Sequence, residues 1–191
     1  MIIGNAAVTI DGDVARRIRL VCFDVDGVLT DGGITLGDAV GDRIELKRYD
    51  IQDGLGIMLL KQAGILTAII TGRESVSVAL RAEELSIDEC VQDKSARKVP
   101  ALHALIKRRG IAFDEVAFVG DDVPDLGVMR LVGLPVCVAN GSPEARRAAT
   151  VTLTKNGGAG AVREFCEALL RARGEWDTQV EAYVTSRSVA L

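Results

Sequence analysis

The strongest constraint on the fold is a short apolar run that ends abruptly in acidic residues. Residues 18–23 are mostly apolar, and Asp24-Val25-Asp26-Gly27 follows them directly. So short a run, rich in branched and aromatic side chains, predicts a buried strand. Because side chains alternate along an extended backbone, Asp24 and Asp26 are expected to point the same way, at the strand end where open α/β folds keep their sites. Two adjacent carboxylates repel each other, so we expect a cation to join them.

Length and composition predict one globular domain. The 191 residues suffice for a single α/β domain, which we expect to span 1–191. With 48% hydrophobic and 26% charged residues, the chain resembles ordinary globular proteins. The net charge of −4 and the lack of a basic run interleaved with aromatics argue against nucleic acid as a partner. No signal peptide or membrane span is expected, and the scattered cysteines suit a reducing compartment, so the cytoplasm is the expected location.

Predicted strands and helices alternate along the chain. After the first strand we expect strands over 65–70, 90–91, 116–119, 135–139 and 151–153, with helices between most of them. This order predicts an α/β fold with a doubly wound, mainly parallel sheet covered on both faces.

Three further segments carry predictions of their own. Residues 33–49 alternate around a turn-rich centre and predict a β-hairpin that projects from the first strand. Residues 158–191 are expected to form a carboxyl-terminal helix and tail, opened by a glycine run. Residues 7–10 are expected to form a short strand, followed by a turn at 11–13.

Polar residues follow three of the predicted strands. Asp24 and Asp26 follow the first, Thr71 the second, and Asp121 and Asp122 a later one. Because the ends of parallel strands meet at one edge, these side chains should converge. Carboxylates without His or Cys select Mg²⁺, which also binds substrate phosphate.

This residue set predicts phosphoryl chemistry. An ionised Asp24 can attack phosphorus, and Asp26 is placed to protonate the leaving oxygen and then to deprotonate water. Thr71 can donate hydrogen bonds to phosphoryl oxygens, and a lysine is needed to balance the charge. Asp122 and Asp125 also fit the start of a helix, where Asp residues cap, so their part in a site stays open.

Four motifs resemble, in order, those of the haloacid dehalogenase phosphatase superfamily: Asp24-Val25-Asp26-Gly27-Val28, Thr71-Gly72, Lys98 and Gly120-Asp121-Asp122-x-x-Asp125. The resemblance implies a Rossmann-like core with Asp24 as nucleophile and Asp26 as general acid and base. It implies that Thr71 and Lys98 hold the phosphoryl group. It also implies Mg²⁺ ligation by Asp24, Asp121 and the Asp26 backbone carbonyl, with Asp122 as a ligand or a neighbour of one. Lys98 is preferred to Lys94 because of its spacing to the Gly-Asp-Asp loop.

A closer resemblance is to the small capless phosphatases that act on 3-deoxy-D-manno-octulosonate 8-phosphate. It rests on residues 24–32, 53–57, 71–73 and 157–164. The segments between the motifs are too short for a lid, so no cap domain is expected. The resemblance implies a homotetramer with central hairpins, and a substrate-binding set of Thr71, Gly72, Arg73, Lys98, Gln52 and Asp53.

Two departures from the family pattern leave the substrate open. Gln52 stands where an Arg is usual, and Asp93-Lys94 where Gln-Gly is usual. The alternative substrate is a nine-carbon 2-keto acid 9-phosphate or another sugar phosphate, although Arg73 favours the octulosonate. The non-enzymatic alternatives are a phosphoaspartate receiver and a silent structural domain. Receivers draw their acids from different strands, which disfavours the first.

Overall fold

The computed structural model describes residues 8–39 and 41–188. In chain order its strands are β1 (Leu20–Phe23), β2 (Thr35–Ala39), β3 (Asp42–Leu46), β4 (Leu66–Thr71), β5 (Glu89–Gln92), β6 (Val116–Gly120), β7 (Leu134–Cys137) and β8 (Val151–Thr152). The α-helices are α1 (Gly12–Arg17), α2 (Ile51–Gln62), α3 (Val76–Glu84), α4 (Lys98–Arg109), α5 (Leu126–Met129), α6 (Pro143–Ala148), α7 (Ala161–Ala172) and α8 (Trp176–Ser188). No helix in these ranges has the length and apolar character needed to cross a membrane.

The strand that leads into the acidic loop lies at the centre of the main sheet. Within the described ranges, six strands form a parallel sheet in the order β5-β4-β1-β6-β7-β8. Phe23 is in register with Ile69 of β4 and with Val119 of β6. The carboxyl ends of the three central strands therefore lie side by side, and the predicted α/β class is confirmed.

Helices cover both faces of this sheet, and β1 contributes to both cores. Val21 and Phe23 pack on the side of α1, α2 and α7, whereas Leu20 and Cys22 pack on the side of α4 and α5. All four side chains are at most 1% exposed, and burying each apolar side chain stabilises the fold by about 1.5–3 kcal/mol. A strand buried on both faces explains the continuous apolar run in the sequence.

The hairpin forms a separate two-stranded sheet. β2 and β3 pair antiparallel, with Thr35 opposite Leu46. The hairpin and α2 occupy the chain between β1 and β4. No cap domain stands between these strands in the described part of that segment, as expected.

The amino-terminal prediction was wrong. The expected turn at 11–13 is the start of α1, because the Asp11 side chain accepts hydrogen bonds from the backbone N–H groups of Asp13 and Val14, each at 2.9 Å. An Asp that caps a helix and an Asp in a turn use the same hydrogen bonds, which explains the confusion. Residues 8–10 form no strand, and residue 7 lies outside the described residues.

The carboxyl-terminal segment differs in detail from the expected helix and tail. The glycine run precedes α7 rather than belonging to it, and a second helix, α8, follows Gly174. Trp176 anchors α8, since the guanidinium carbons of Arg163 and Arg171 lie 5.0 and 5.2 Å from its ring centre.

Candidate active site

A cleft of about 250 Å³ opens at the carboxyl edge of the sheet. Side chains that follow β1, β4 and β6 line it together with Lys98, the first residue of α4. Of the residues expected in a site, the structure brings eight together here: Asp24, Asp26, Thr71, Gly72, Arg73, Lys98, Asp121 and Asp122. Asp125 joins them.

The loop after β1 is held by internal hydrogen bonds and by glycine contacts. Thr30 is fully buried, and its hydroxyl donates to the Val25 carbonyl at 3.2 Å and accepts from the Gly32 N–H at 3.2 Å. Gly27 has φ of +93°, and a Cβ there would lie 2.1 Å from Oδ2 of Asp121. Both the backbone angle and the space beside the Asp121 carboxylate therefore require glycine.

A second glycine segment lies against the same loop from the far end of the chain. The Gly158 N–H donates to the Val28 carbonyl at 3.0 Å. A Cβ at Gly157 would lie 1.7 Å from the Gly27 carbonyl oxygen. The glycine run therefore packs backbone to backbone against the loop that carries Asp26.

Lys98 joins two of the carboxylates. Its Nζ lies 2.6 Å from Oδ1 of Asp24 and 2.6 Å from Oδ1 of Asp125. All three residues are at most 7% exposed. Burial disfavours the ammonium, but the two carboxylates outweigh it and raise the pKa of Lys98, so this lysine stays charged.

The remaining charge points to a cation. Among the described residues, Asp24, Asp121 and Asp125 can each place an oxygen within 4.8 Å of the others. Burial, followed by the charge of the neighbouring carboxylates, raises the pKa of Asp24 to about 6 and that of Asp121 to about 8. One lysine does not balance three carboxylates, and an all-oxygen donor set is the kind that Mg²⁺ prefers. The residues present therefore fit a magnesium ion.

Asp122 and Asp125 differ in their contacts. Asp125 is 1% exposed, and its Oδ2 accepts the Asp121 backbone N–H at 2.9 Å while its Oδ1 faces Lys98. Asp122 lines the cleft but is not one of the three clustered carboxylates. Asp125 therefore has both of the roles that the sequence leaves open. Its Oδ2 accepts a backbone N–H at the start of the helical segment, and its Oδ1 contacts Lys98 in the site.

Asp26 faces a different set of cations from Asp24. Its carboxylate pairs with the Lys47 ammonium and lies 3.5 Å from Nε of Arg73. Arg73 also donates to Glu45 at 2.9 Å, and its side chain is 48% exposed at the rim. Thr71, at the end of β4, is 3% exposed. Sequence reasoning missed Glu45 and Lys47, because alternating charges in a hairpin usually indicate a solvated face.

Gln52 and Asp53 do not line the cleft, and their predicted contact with substrate stays a prediction. Gln52 is exposed in the first turn of α2. Asp53 is 1% exposed, and its Oδ1 accepts the Arg163 backbone N–H at 2.7 Å, at the start of α7. Gly160, the residue before α7, has no side chain with which to cap the helix, so Asp53 supplies the acceptor.

Replacement of Asp53 by Asn is expected to change how stability depends on pH. Burial raises the pKa of Asp53 from 3.8 to about 6, and its Oδ2 has no hydrogen-bond partner among the described residues. The folded state therefore holds this proton more tightly than the unfolded state. The parent loses stability as pH rises from the unfolded pKa of 3.8 through the folded pKa of about 6. The amide of the variant keeps the acceptor but does not titrate. Relative to the parent, the stability of Asp53→Asn should rise by about 1–1.5 kcal/mol between about pH 5 and about pH 8.

Urea unfolding of both proteins across that range measures this difference, because all other titrations are common to the two. If the difference in free energy of unfolding between the two proteins did not change with pH, burial of Asp53 would not disfavour its charged form.

A parallel sheet whose carboxyl edge carries clustered aspartates, a threonine and a buried lysine defines the class of haloacid dehalogenase-like hydrolases. The model of that family, described as haloacid dehalogenase-like hydrolase, matches residues 90–165. The 3-deoxy-D-manno-octulosonate 8-phosphate phosphatase of Escherichia coli (strain K12) is 42% identical over 163 residues, which are 85% of each chain. The chain belongs to this phosphatase family.

Solved structures agree with the sequence comparison. The phosphatase from Moraxella catarrhalis, described as a complex with magnesium ion, phosphate ion and a KDO molecule, has a TM-score of 0.85 at 41% identity, covering 90% of this chain and 97% of that one. The cobalt-bound phosphatase from Haemophilus influenzae has a TM-score of 0.79 at 33% identity, covering 86% and 94%.

Proposed function

We propose that this protein is a Mg²⁺-dependent phosphomonoester hydrolase that acts on 3-deoxy-D-manno-octulosonate 8-phosphate and releases the free sugar acid and phosphate. The observation that carries the proposal is the buried Asp24, held by Lys98 inside a cluster of carboxylates at the sheet edge. The names of the relatives support the substrate, and the magnesium and phosphate ions of the Moraxella catarrhalis complex support the chemistry.

Asp24 acts as the nucleophile in this proposal. Its carboxylate oxygen bonds to phosphorus as the bond from phosphorus to the sugar oxygen breaks, which leaves an aspartyl-phosphate. Asp26 gives its proton to the departing sugar oxygen. It then takes a proton from water, whose oxygen bonds to phosphorus and releases Asp24.

The other residues of the cleft bind and orient the phosphoryl group. In this proposal Lys98 and Thr71 hold its oxygens, which is supported by their position in the lining of the cleft and by the contact of Lys98 with the Asp24 carboxylate. Asp24, Asp121, Asp125 and the Asp26 backbone carbonyl would hold the magnesium ion, with Asp122 beside them. A bound magnesium ion would offset the negative charge of these carboxylates and of the substrate phosphate.

Arg73 is the proposed contact for the carboxylate of the sugar acid. Nearly half of its side chain is exposed at the rim, beside Asp26. Beyond it lies a groove of about 670 Å³ between β3 and α3, with room for a sugar acid. Its lining combines apolar and serine residues with charged residues of both signs: Glu45, Lys47, Glu74, Arg81 and Glu84.

Initial rates of phosphate release across phosphorylated keto-acid sugars test this function. The octulosonate 8-phosphate should be the best substrate. A preference for a nine-carbon acid 9-phosphate would support the phosphatase mechanism but refute the octulosonate 8-phosphate as the substrate. A silent domain or a receiver would release phosphate from none of them with multiple turnover. Excess chelator should abolish the activity and added Mg²⁺ should restore it, whereas full activity in chelator would refute the metal assignment.

The proposed location is the cytoplasm, and the proposed assembly is a homotetramer built through the hairpins. Support for the assembly comes from apolar side chains on the hairpin and the neighbouring α3: Leu36, Leu46, Val76 and Leu80 are 74%, 60%, 77% and 61% exposed. An exposed apolar patch of this kind marks an interaction surface.

Leu46→Glu is expected to dissociate the assembly, because it would bury a charge without a partner in the contact between hairpins. Sedimentation velocity should show four chains for the parent and a smaller species for the variant. Thr35→Glu, at the position opposite Leu46, should act in the same direction, whereas Asp177→Lys on α8 serves as a charge-change control. A parent that sediments as a single chain would refute the tetramer.

A further inference from the structure

Residues 44–47, at the end of β3, place charged side chains against the body of the protein and apolar ones in solvent. Ile44 and Leu46 are 40% and 60% exposed, whereas the Lys47 side chain, directly after the strand, is 0% exposed. Lysine is almost never fully buried unless it is paired with an acid. The position of Lys47 therefore calls for an explanation in terms of its partners.

Those partners form a closed set of four charges. Lys47 pairs with Asp26 and lies 3.5 Å from Glu45. Arg73 contacts the same two carboxylates, at 3.5 Å from Asp26 and 2.9 Å from Glu45. The two positive and two negative charges balance. Asp26 is contacted by two cations from other parts of the chain, Lys47 after β3 and Arg73 after β4.

The two cations differ in exposure. Arg73 is 48% exposed and stands at the rim, where it can exchange a carboxylate of the protein for one of a ligand. Lys47 has no exposed side-chain surface, so its ammonium is less accessible to a ligand than the guanidinium of Arg73. Its contact with Asp26 is available for the whole reaction.

We propose that Lys47 is a positioning residue that fixes the Asp26 carboxyl group for proton transfer to the leaving oxygen. This inference rests on the function proposed above. The loop fixes the backbone of Asp26, but among the described residues the hydrogen-bond donor to its carboxylate is Lys47, which comes from the hairpin. In this step the proton moves from Asp26 to the sugar oxygen as the phosphorus–oxygen bond breaks.

The dependence on leaving group separates this role from a general structural one. An alkoxide such as the sugar oxygen needs a proton in order to leave, whereas p-nitrophenolate leaves without one. Loss of a correctly placed general acid therefore slows the first reaction and spares the second. A distorted cleft would slow both equally.

The experiment measures first-turnover release of alcohol or phenol, with enzyme in excess, from 3-deoxy-D-manno-octulosonate 8-phosphate and from p-nitrophenyl phosphate. Lys47→Met should slow release of the sugar by about 100-fold or more and change release of p-nitrophenol by less than about threefold. Lys47→Gln, which keeps a donor of similar length, should show the same selectivity with a smaller loss, and it serves if the Met variant fails to fold. Lys61→Met is the matched control, because the Lys61 side chain is 24% exposed and pairs with Asp88 outside the cleft; it should behave as the parent.

Equal losses on both substrates, or no loss on either, would overturn the role of Lys47 while leaving the phosphatase activity in place. A parent protein that releases neither product would instead remove the proposed function, and this inference with it.

Discussion

Asp24→Asn is expected to lower phosphate release by about four orders of magnitude or more while leaving the fold intact. The amide has the shape of the carboxylate but is a poor nucleophile toward phosphorus. Its oxygen can still accept the hydrogen bond from Lys98, which retains Asp125 as an ion-pair partner at 2.6 Å. Steady-state phosphate release and circular dichroism measure the two halves of this prediction.

Acid quenching during turnover supplies a second readout. The parent should carry a phosphoryl group on the peptide that contains Asp24, and Asp24→Asn should not. Asp114→Asn makes the same chemical change at an exposed residue that precedes β6 and therefore lies at the sheet edge opposite the cleft. This variant should remain active. Phosphate release by Asp24→Asn at the parental rate would exclude Asp24 as the nucleophile.

Lys98→Met is expected to reduce both stability and turnover. Removing the ammonium leaves Asp24 and Asp125 buried without their shared partner, and breaking a buried ion pair of this kind costs about 3–5 kcal/mol. Loss of the proposed donor to the phosphoryl oxygens should lower turnover by about 10²–10³-fold. Urea unfolding in chelator measures the first effect, and initial rates measure the second.

Added Mg²⁺ should recover more stability in Lys98→Met than in the parent, because the carboxylate cluster then has more uncompensated charge. Lys94→Met is the matched control from the same segment. Lys94 is 76% exposed and pairs with Glu74 at the surface, so its loss should cost less than about 1 kcal/mol. Comparable effects at the two positions would contradict the choice of Lys98.

The fold was predictable where a residue pattern has one physical interpretation. The apolar run before Asp24 fits only a strand buried on both faces, and the structure places it at the centre of a parallel sheet. Helix ends were harder, because a capping residue and a turn residue use the same hydrogen bonds. The pattern around Asp11 predicts a turn for that reason. The start of α6 carries a clearer signal, because Ser142 accepts the Ala145 N–H and Pro143 is the first residue of the helix.

The candidate site was predictable to the extent that strand ends determine it. Thr71 and Asp121 lie next to Asp24 because β4 and β6 flank β1 in register. Side chains that reach the cleft from the hairpin could not be inferred in this way. Lys47 approaches Asp26 through a tertiary contact that depends on how the hairpin folds back, and no local periodicity encodes that contact.

The backbone contact between Gly27 and Gly157 has a consequence for the order of folding. The loop that follows Asp24 is completed by a segment that is synthesised long after it. A ribosome-bound chain that ends before the glycine run would possess the central strands and most of the acidic side chains, yet would lack the wall that shapes the loop. Such contacts between residues distant in sequence slow folding, so catalytic competence should appear late and all at once rather than growing with chain length.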